Sequence, residues 1–518
     1  MLDFNLIVMK RIIYILLSCI GLGACSDFLE PKSDYEFIPE TVEALNEILL
    51  GDAYLWTGTE GLNVADVLQV LDDDVECSDW DDYGSDYNMQ SAMLYSNIFC
   101  WQPNMFKAFY EEEKSVSSYN IYRNYYTKIL GVNAVLDMID KVDGGEDERC
   151  DVRAQAYALR ALYYFNLVNI YGKPYNFDKK ALGVPLKLTS ALEEKAMARN
   201  TVEECYNQIL ADLEEAEKNY QMLPENMQFK RNYRTNLPMV QLLLARVHLY
   251  MENWQQAYEY AEKVIRDWDL RLMDFNNLPA YASTSIPYLT FTSFTVNPEV
   301  IYAYGSAFQN FSGLANVTRG DWMTGERDVF VVSRALIECY EETPGDLRKK
   351  EYLVQDDEFP VYYRIFSKCG VQYPRTVAQD EFSRAFRLAE AYLIQAESAA
   401  ELYKAGKGGA DAALEPLNTL RRTRFATYKN VEMSNAEELI EFIRRERRRE
   451  MCFEDHRWFD LRRWGMPRLE HKWHVDAQTT LTYVLEEKDP GYTLPLPEEE
   501  LVLNRDLIQN ELRERKLK

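Results

Sequence analysis

Four histidines are the entire imidazole supply of this 518-residue chain: His248, His456, His471 and His474. His471 and His474 stand three apart with no third ligand at matching spacing, so a zinc site is not expected there. His456 lies in a run of charges and aromatics, where a hydrogen-bonded structural role is expected. No serine occupies a G-x-S-x-G elbow, and no glycine-rich loop is built to cradle phosphate. The nine cysteines include no C-x-x-C pair, so neither a zinc ribbon nor a redox motif is supported. With 84 acidic residues a glycosidase pair stays open, because such a pair is defined by separation in space. Asp72 to Tyr87, DDDVECSDWDDYGSDY, gathers carboxylates that could hold Ca²⁺, which takes six to eight oxygens. Its spacing is not that of an EF-hand, and a solvated acidic loop is the expectation, with structural Ca²⁺ as the alternative.

A different chemistry belongs to aromatic residues in polar stretches. The axial C–H edges of a pyranose are apolar and pack against a ring face, while amides and hydroxyls partner the sugar hydroxyls. Candidates for that work are Trp80, Tyr83, Trp101, Tyr281, Tyr288 and Trp322, with Asn104 and Asn316 nearby. Each aromatic taken singly has a core position as its alternative. Trp80 and Trp322 are the preferred pair, since both neighbour acidic or glycine residues typical of exposed loops.

The elements that must position these residues centre on Ser434 to Gly465. Ser434 followed by Glu437 predicts a capping box at the start of a helix, and Leu439, Ile440 and Ile443 give it a partial apolar stripe. The charged run Arg444 to Glu450 follows, and then Phe453, Trp458, Phe459 and Trp464. A nucleic-acid surface would fit basic residues among aromatics, but a net charge of −26 repels phosphate. Glu446 and Glu450, one turn apart, could be a catalytic pair, yet arginines flank both. The expected reading is a helix that ends inside the fold, its Arg and Glu heads locked together.

Upstream the pattern is of recurring helix pairs. Thr41 to Leu50 predicts a first helix. Ala156, Leu159, Tyr163 and Leu167 line one face of a longer helix, which Gly172 and Pro174 end. Val202–Tyr220, Pro238–Tyr250 and Trp254–Trp268 follow, with Ala245, Tyr250, Trp254, Ala257 and Tyr260 at the packing positions of a tetratricopeptide helix-turn-helix. Phe386–Ala405 and Asp411–Arg424 form a later pair. Such repeats bury their faces only against neighbours, so they predict a stacked scaffold. From about Arg271 to Glu381 the repeats are interrupted by a segment rich in Tyr, Phe, Thr, Ser, Gly and Pro with little helical periodicity. An insertion emerging from a rigid scaffold is where function usually sits.

At the N-terminus, Met9-Lys10-Arg11 precedes the apolar segment Ile12 to Leu22. That segment is too short for the ~20 residues of a transmembrane helix and suits a signal peptide. Leu22-Gly23-Ala24-Cys25 matches a bacterial lipobox, making Cys25 the expected lipidated residue.

These features converge on a family. The run RRERRREMCFEDHRWFDLRRWG resembles the C-terminal signature of SusD/RagB-like proteins. Cys25, Asp27, Leu29 and Pro31 resemble the family's start, and Tyr126, Ile129, Val132 and Asn133 an early helix block. The match continues through Ala156, Leu159, Arg160, Ala161, Tyr164, Phe165, Leu167, Val168, Tyr171 and Gly172. Arg387, Ala389, Glu390, Tyr392, Leu393, Ala396 and Glu397 resemble a later helix, and Pro497, Glu500, Asn504, Leu507, Gln509 and Asn510 the C-terminus.

The resemblance implies a mainly α, SusD-like fold, with about four tetratricopeptide-type helix pairs packed against a loop-rich, irregular insertion. Its expected parts are a signal peptide over 1–24, a tether over 25–40, helical regions over 41–270 and 382–518, and the insertion over 271–381. It also implies a lipid-anchored protein exposed on the outer-membrane surface. Such a protein binds a glycan and acts as the lid of a SusC-like TonB-dependent transporter, with no catalysis, cofactor or nucleic-acid partner. In that family the signature is architectural, and ligand-facing aromatics come from the two loop regions named above. Two alternatives stay open: a tetratricopeptide-type scaffold or peptide binder, and a lipid-anchored glycan hydrolase.

Overall fold

The computed structural model describes residues 39–55, 66–78, 95–106, 120–192, 195–278, 291–292, 294, 297–306, 329–355, 363–364, 368, 382–476 and 478–513. From Thr41 onward the chain forms one compact unit. Its first helix, α1 (Val42–Ile48), starts on Thr41, whose Oγ1 accepts the Ala44 N–H. Then come α2 (Ile121–Met138), α3 (Glu146–Tyr171), α4 (Val202–Gln221), α5 (Leu237–Tyr250) and α6 (Trp254–Arg266). Side chains that satisfy free N–H groups mark the helix starts. Asn120 caps α2, Thr201 and Glu204 form a capping box on α4, and Asn236 caps α5 with Pro238 in its first turn.

After a short α7 (Arg334–Glu341) the array resumes with α8 (Leu388–Lys404), α9 (Asp411–Arg422), α10 (Ala436–Met451) and α11 (Arg457–Arg463). Helix α12 (Glu498–Leu503) lies near the end. Helix α3 packs on α4, α5 on α6, and α8 on both α9 and α10. The α6–α8 contact joins the array directly across the interruption, so the repeats form one continuous stack. The expected helix pairs are therefore present, with bounds within a few residues of the sequence reading.

Two local expectations are corrected. Helix α10 is capped by Asn435, whose Oδ1 accepts the Glu438 N–H at 3.1 Å, and not by a Ser434–Glu437 box. Asparagine is as good an N-cap as serine, and Ser434 instead offers its carbonyl to the Tyr403 hydroxyl. The interruption also carries regular structure among its described residues. Strand β2 (Val300–Ser306) pairs antiparallel with β6 (Phe382–Arg387), and β3 (Phe330–Val332) pairs with β1 (Val75–Cys77) and with β5 (Tyr363–Arg364), which also pairs with β4 (Val354–Gln355). The eight residues of α7 bury Leu336, Ile337 and Tyr340. Segments this short give too few turns for a period to stand out in sequence. A hairpin of β7 (Leu469–Asp476) and β8 (Thr479–Leu485) follows α11.

What fastens these strands to the helices is ionic. Glu450 on α10 accepts from Arg387 (3.2 Å), Arg424 (3.0 Å twice), Arg348 (3.0 Å) and the Tyr352 hydroxyl (3.0 Å). Arg348 and Tyr352 belong to the interruption, as does Glu299, which bonds both Arg387 (2.9 Å) and Arg424 (2.6 Å). Glu446 joins Arg348 and Arg449 at 2.7 Å each, and also Arg421. The two carboxylates are thus structural, as their flanking arginines implied.

Gly172, at the end of α3, has an ordinary extended backbone with φ −103°. Crowding is what requires a glycine there. A Cβ would lie 2.7 Å from the Val168 carbonyl oxygen and 3.1 Å from Val202 of α4. Gly172→Ala is expected to cost about 1–3 kcal/mol, the usual range for overpacking, read as a lower urea midpoint at unchanged slope. A neutral result would show that the α3–α4 junction can relax.

Candidate ligand-binding site

Cys25, Trp80, Tyr83, Tyr281, Tyr288, Asn316 and Trp322 lie outside the described residues. The chain ends that carry several of them are described, and they meet. Ser78, two positions before Trp80, donates its N–H to the carbonyl of Val329 at 2.9 Å. Val329 lies seven positions after Trp322. The antiparallel register of β1 on β3, with Cys77 opposite Phe330, creates that meeting. A second junction forms where Ser306 of β2 pairs with Phe382 of β6. There the Thr292 hydroxyl donates to the Phe382 carbonyl, and the Gly305 N–H donates to Leu55 at 3.3 Å. The segment holding Tyr281 and Tyr288 thus re-enters the fold, at Phe291 and Thr292, beside the point from which the Asn316–Trp322 segment departs.

Trp101 is corrected from ligand contact to core. It is 1% exposed, its indole N–H donates to Leu71 at 2.9 Å, and its ring stacks on His471 at 4.1 Å. Its φ of 52° is unusual for so bulky a residue and is held by that stack. Asn104, three residues on, is exposed.

His471 is clamped between Phe99 and Trp101, each ring 4.1 Å away. Its Nδ1 lies 2.7 Å from the Phe99 carbonyl and its Nε2 lies 3.0 Å from that of Asp72. Burial pushes its pKa down to about 4, against the pull of those two carbonyl acceptors. His474 is partly exposed, with its Nδ1 2.9 Å from Thr480, so the two imidazoles of the HKWH run are engaged separately. His456 is buried, and its Nδ1 accepts from Arg447 at 3.1 Å.

The expectation of a solvated acidic loop fails at its first three residues. Asp72 and Asp74 are buried and Asp73 is partly so. Arg457 holds Asp73 in a two-pronged bond at 2.7 and 2.9 Å, and Arg448 bonds Asp74 at 2.7 Å. Burial raises Asp73, but Arg448 and Arg457 outweigh it and hold the carboxyl well below its ordinary range. Asp72 is driven up by burial and by Asp74 and Asp73. Among the described residues these three aspartates form the one carboxylate, His or Cys group compact enough for a metal. The two guanidinium groups already supply positive charge there.

Sequence reasoning missed a polar cavity of about 30 Å³ between α3, α5, the β2–β6 pair and the turn before α11. That volume holds about two waters. Asn166, Tyr304 and Asp455 stand partly exposed around it, and Arg384 binds Asp455 at 2.8 Å. The Tyr250 hydroxyl, buried and without a partner, lines it. Asp455 has φ 65° and Phe453 has φ 61°, a left-handed turn that swings the carboxylate toward Arg384. Glu454, Asp455, His456 and Phe459 lay inside the signature run, Phe165 inside an earlier matched block and Tyr250 at a repeat packing position, but nothing in their spacing marks a cavity. Its carboxylates are tied up in ion pairs: Arg387 and Lys368 outweigh burial to keep Glu454 low. This chemistry suits hydrogen bonding to hydroxyls or water better than proton transfer, for which an acid held near neutral pH is wanted.

Residues 355–512 match the profile of the SusD family, and 27–249 match a profile described as starch-binding associating with outer membrane. The chain is 26% identical over 428 residues to SusD-like protein P2 of Formosa agariphila, covering 74% of this chain and 78% of that one. A putative sugar binding protein from Bacteroides vulgatus shares the fold with a TM-score of 0.67 at 22% identity, covering 92% of this chain and 99% of the other. A laminarin binding SusD-like protein matches with a TM-score of 0.59 at 20% identity, covering 91% and 99%. Among the described residues no helix is long and apolar enough to cross a membrane.

Proposed function

Because the chain belongs to the SusD/RagB-like family, we propose that it is a cell-surface glycan-binding protein of the outer membrane. In this reading it is anchored through Cys25 and serves as the lid of a SusC-like TonB-dependent transporter. It binds and delivers oligosaccharide without cleaving it and needs no cofactor. The observation that supports a glycan site is the hydrogen bond from Ser78 to Val329. It ties together the roots of the two segments that carry Trp80 and Trp322, so two aromatic faces can address one ligand. The guanidinium partners of the cavity carboxylates favour binding over hydrolysis.

The test is affinity electrophoresis of the protein against a panel of polysaccharides, with product analysis on the same samples. Retardation by one glycan class with unchanged chain length is the expected result. Trp322→Ala should weaken it tenfold or more, about 1.4 kcal/mol, as loss of a stacked aromatic anchor does. Release of shorter products would overturn the non-enzymatic reading. Retardation by no glycan would overturn the glycan assignment and favour peptide cargo.

A further inference from the structure

The polar cavity between α3, α5, the β2–β6 pair and the turn before α11 contains a hydroxyl that the protein leaves unsatisfied. Tyr250 is 3% exposed, and its hydroxyl lines the cavity without a partner among the described residues. Its ring is fixed by an edge-on contact with Phe165 at 5.1 Å and by the Arg463 guanidinium 5.6 Å from its centre. A buried hydroxyl left unpaired is costly, and native structures supply it with a ligand or a water.

The groups around that hydroxyl select its partner. Charge in the lining is already matched: Arg246 is held by Glu390 (2.7 and 2.6 Å), Arg384 by Asp455 (2.8 Å) and Glu454 by Arg387 (2.8 and 2.6 Å). An entering ion would lose its hydration and find no counter-charge to claim. Asn166 gives its amide N–H to Tyr125 (3.0 Å), which leaves its carbonyl to accept. His456 accepts at Nδ1 from Arg447 (3.1 Å), so its ring proton is on Nε2 and is available to donate. Burial, with Arg246 and Arg447 nearby, keeps that ring neutral. Phe165 and Phe459 add apolar wall. The lining therefore fits a neutral group that donates, accepts and carries carbon.

Size narrows the choice further. A volume of about 30 Å³ admits two waters, or two heavy atoms of a ligand, and excludes a pyranose ring. The exocyclic CH₂OH of a hexose has those two atoms. At the rim, Tyr304 stands partly exposed opposite Arg384 in the β2–β6 register, placed to meet the sugar ring that stays outside. We propose that this cavity is a subsite for the hydroxymethyl group of a neutral hexopyranose. The cargo is then a hexose-based glycan. Xylans lack the group, and polyuronates carry in its place a carboxylate that would face Asp455 and Glu454, so both are disfavoured. The proposal rests on the glycan-binding reading above and adds the substrate class.

Affinity electrophoresis of the full-length protein tests it with laminarin, amylose and mannan, each native and with its C6 hydroxyl removed, alongside xylan and polygalacturonate. Retardation by a native hexose glycan is expected, at least tenfold weaker with its 6-deoxy form and with xylan or polygalacturonate. Tyr250→Phe should bind the native glycan as weakly as the wild type binds the 6-deoxy form. Its melting temperature should be no lower than that of the wild type, because the lost hydroxyl has no partner in the protein. Equal retardation by native and 6-deoxy forms, or a preference for xylan or polygalacturonate, would overturn the subsite while glycan binding stands. Wild-type retardation of Tyr250→Phe would do the same and leave two waters as the cavity's occupants. Retardation by none of these polymers would overturn both readings. The comparison of native with 6-deoxy glycan uses the wild type alone, so it decides the matter even if the variant fails to fold.

Discussion

Glu450→Ala should leave little folded protein, with a stability loss of about 3–5 kcal/mol or more. The carboxylate is fully buried, and no single arginine depends on it alone. Its removal leaves Arg348, Arg387 and Arg424 sharing Glu299, Asp346, Glu446 and Glu454 as counter-charges. Removing one member of a buried pair is costly because the others stay charged in a medium that cannot solvate them. Those arginines outweigh burial to hold Glu450 well below the usual carboxylate range. Glu441→Ala on the same helix is the control: its carboxylate is exposed, its partner Arg444 keeps Glu397 and Glu401 nearby, and loss of it should be near neutral. Urea unfolding of both variants decides the matter. Equal midpoints would mean that the ionic core contributes specificity without stability.

Acid should unfold the protein through the same network. Burial raises Glu397, but Arg463 grips it at 2.6 and 2.8 Å and, with Arg447 and Arg444, brings it down to about 2. A carboxylate depressed in the folded state stabilises above its unfolded pKa near 4.5. That contribution is lost as pH falls through the folded value. For Glu397 the window runs from about 4.5 to about 2 and is worth about 3 kcal/mol, at about 1.4 kcal/mol per pH unit. Glu446 and Glu450 shift the same way. Asp72, raised by burial and its neighbours, titrates in the opposite sense and offsets part of the loss. Urea midpoints should therefore be nearly flat down to about pH 5 and fall steeply below it. In Glu397→Gln the fall should be shallower by that residue's share. Midpoints that hold to pH 2 would contradict the assignment of these carboxylates as ionised and stabilising.

The ionic core explains why the signature could be recognised in sequence while its geometry could not. Arginines and glutamates at helical spacing, followed by bulky aromatics, are legible as a helix entering a fold. Which arginine meets which carboxylate is a matter of tertiary approach. Arg348 and Glu450 are 102 positions apart, and Arg387 reaches Glu299 across 88. Trp101 shows the same limit from the other side. A tryptophan before a polar stretch reads equally as a ligand platform or as core, and the stack with His471, 370 positions away, decided for core.

Local composition and periodicity thus determined the helices, their pairing into stacked repeats and the interruption between them, while the resemblance of specific motifs pointed to the family. Those depend on side chains within a turn or two of one another, and on caps that act over three residues. Tertiary structure alone decided that Asp72–Asp74 are buried against arginines, and that the roots of the two aromatic segments meet at Ser78 and Val329. Each of these follows from which distant surfaces exclude water together, and no spacing along the chain encodes that.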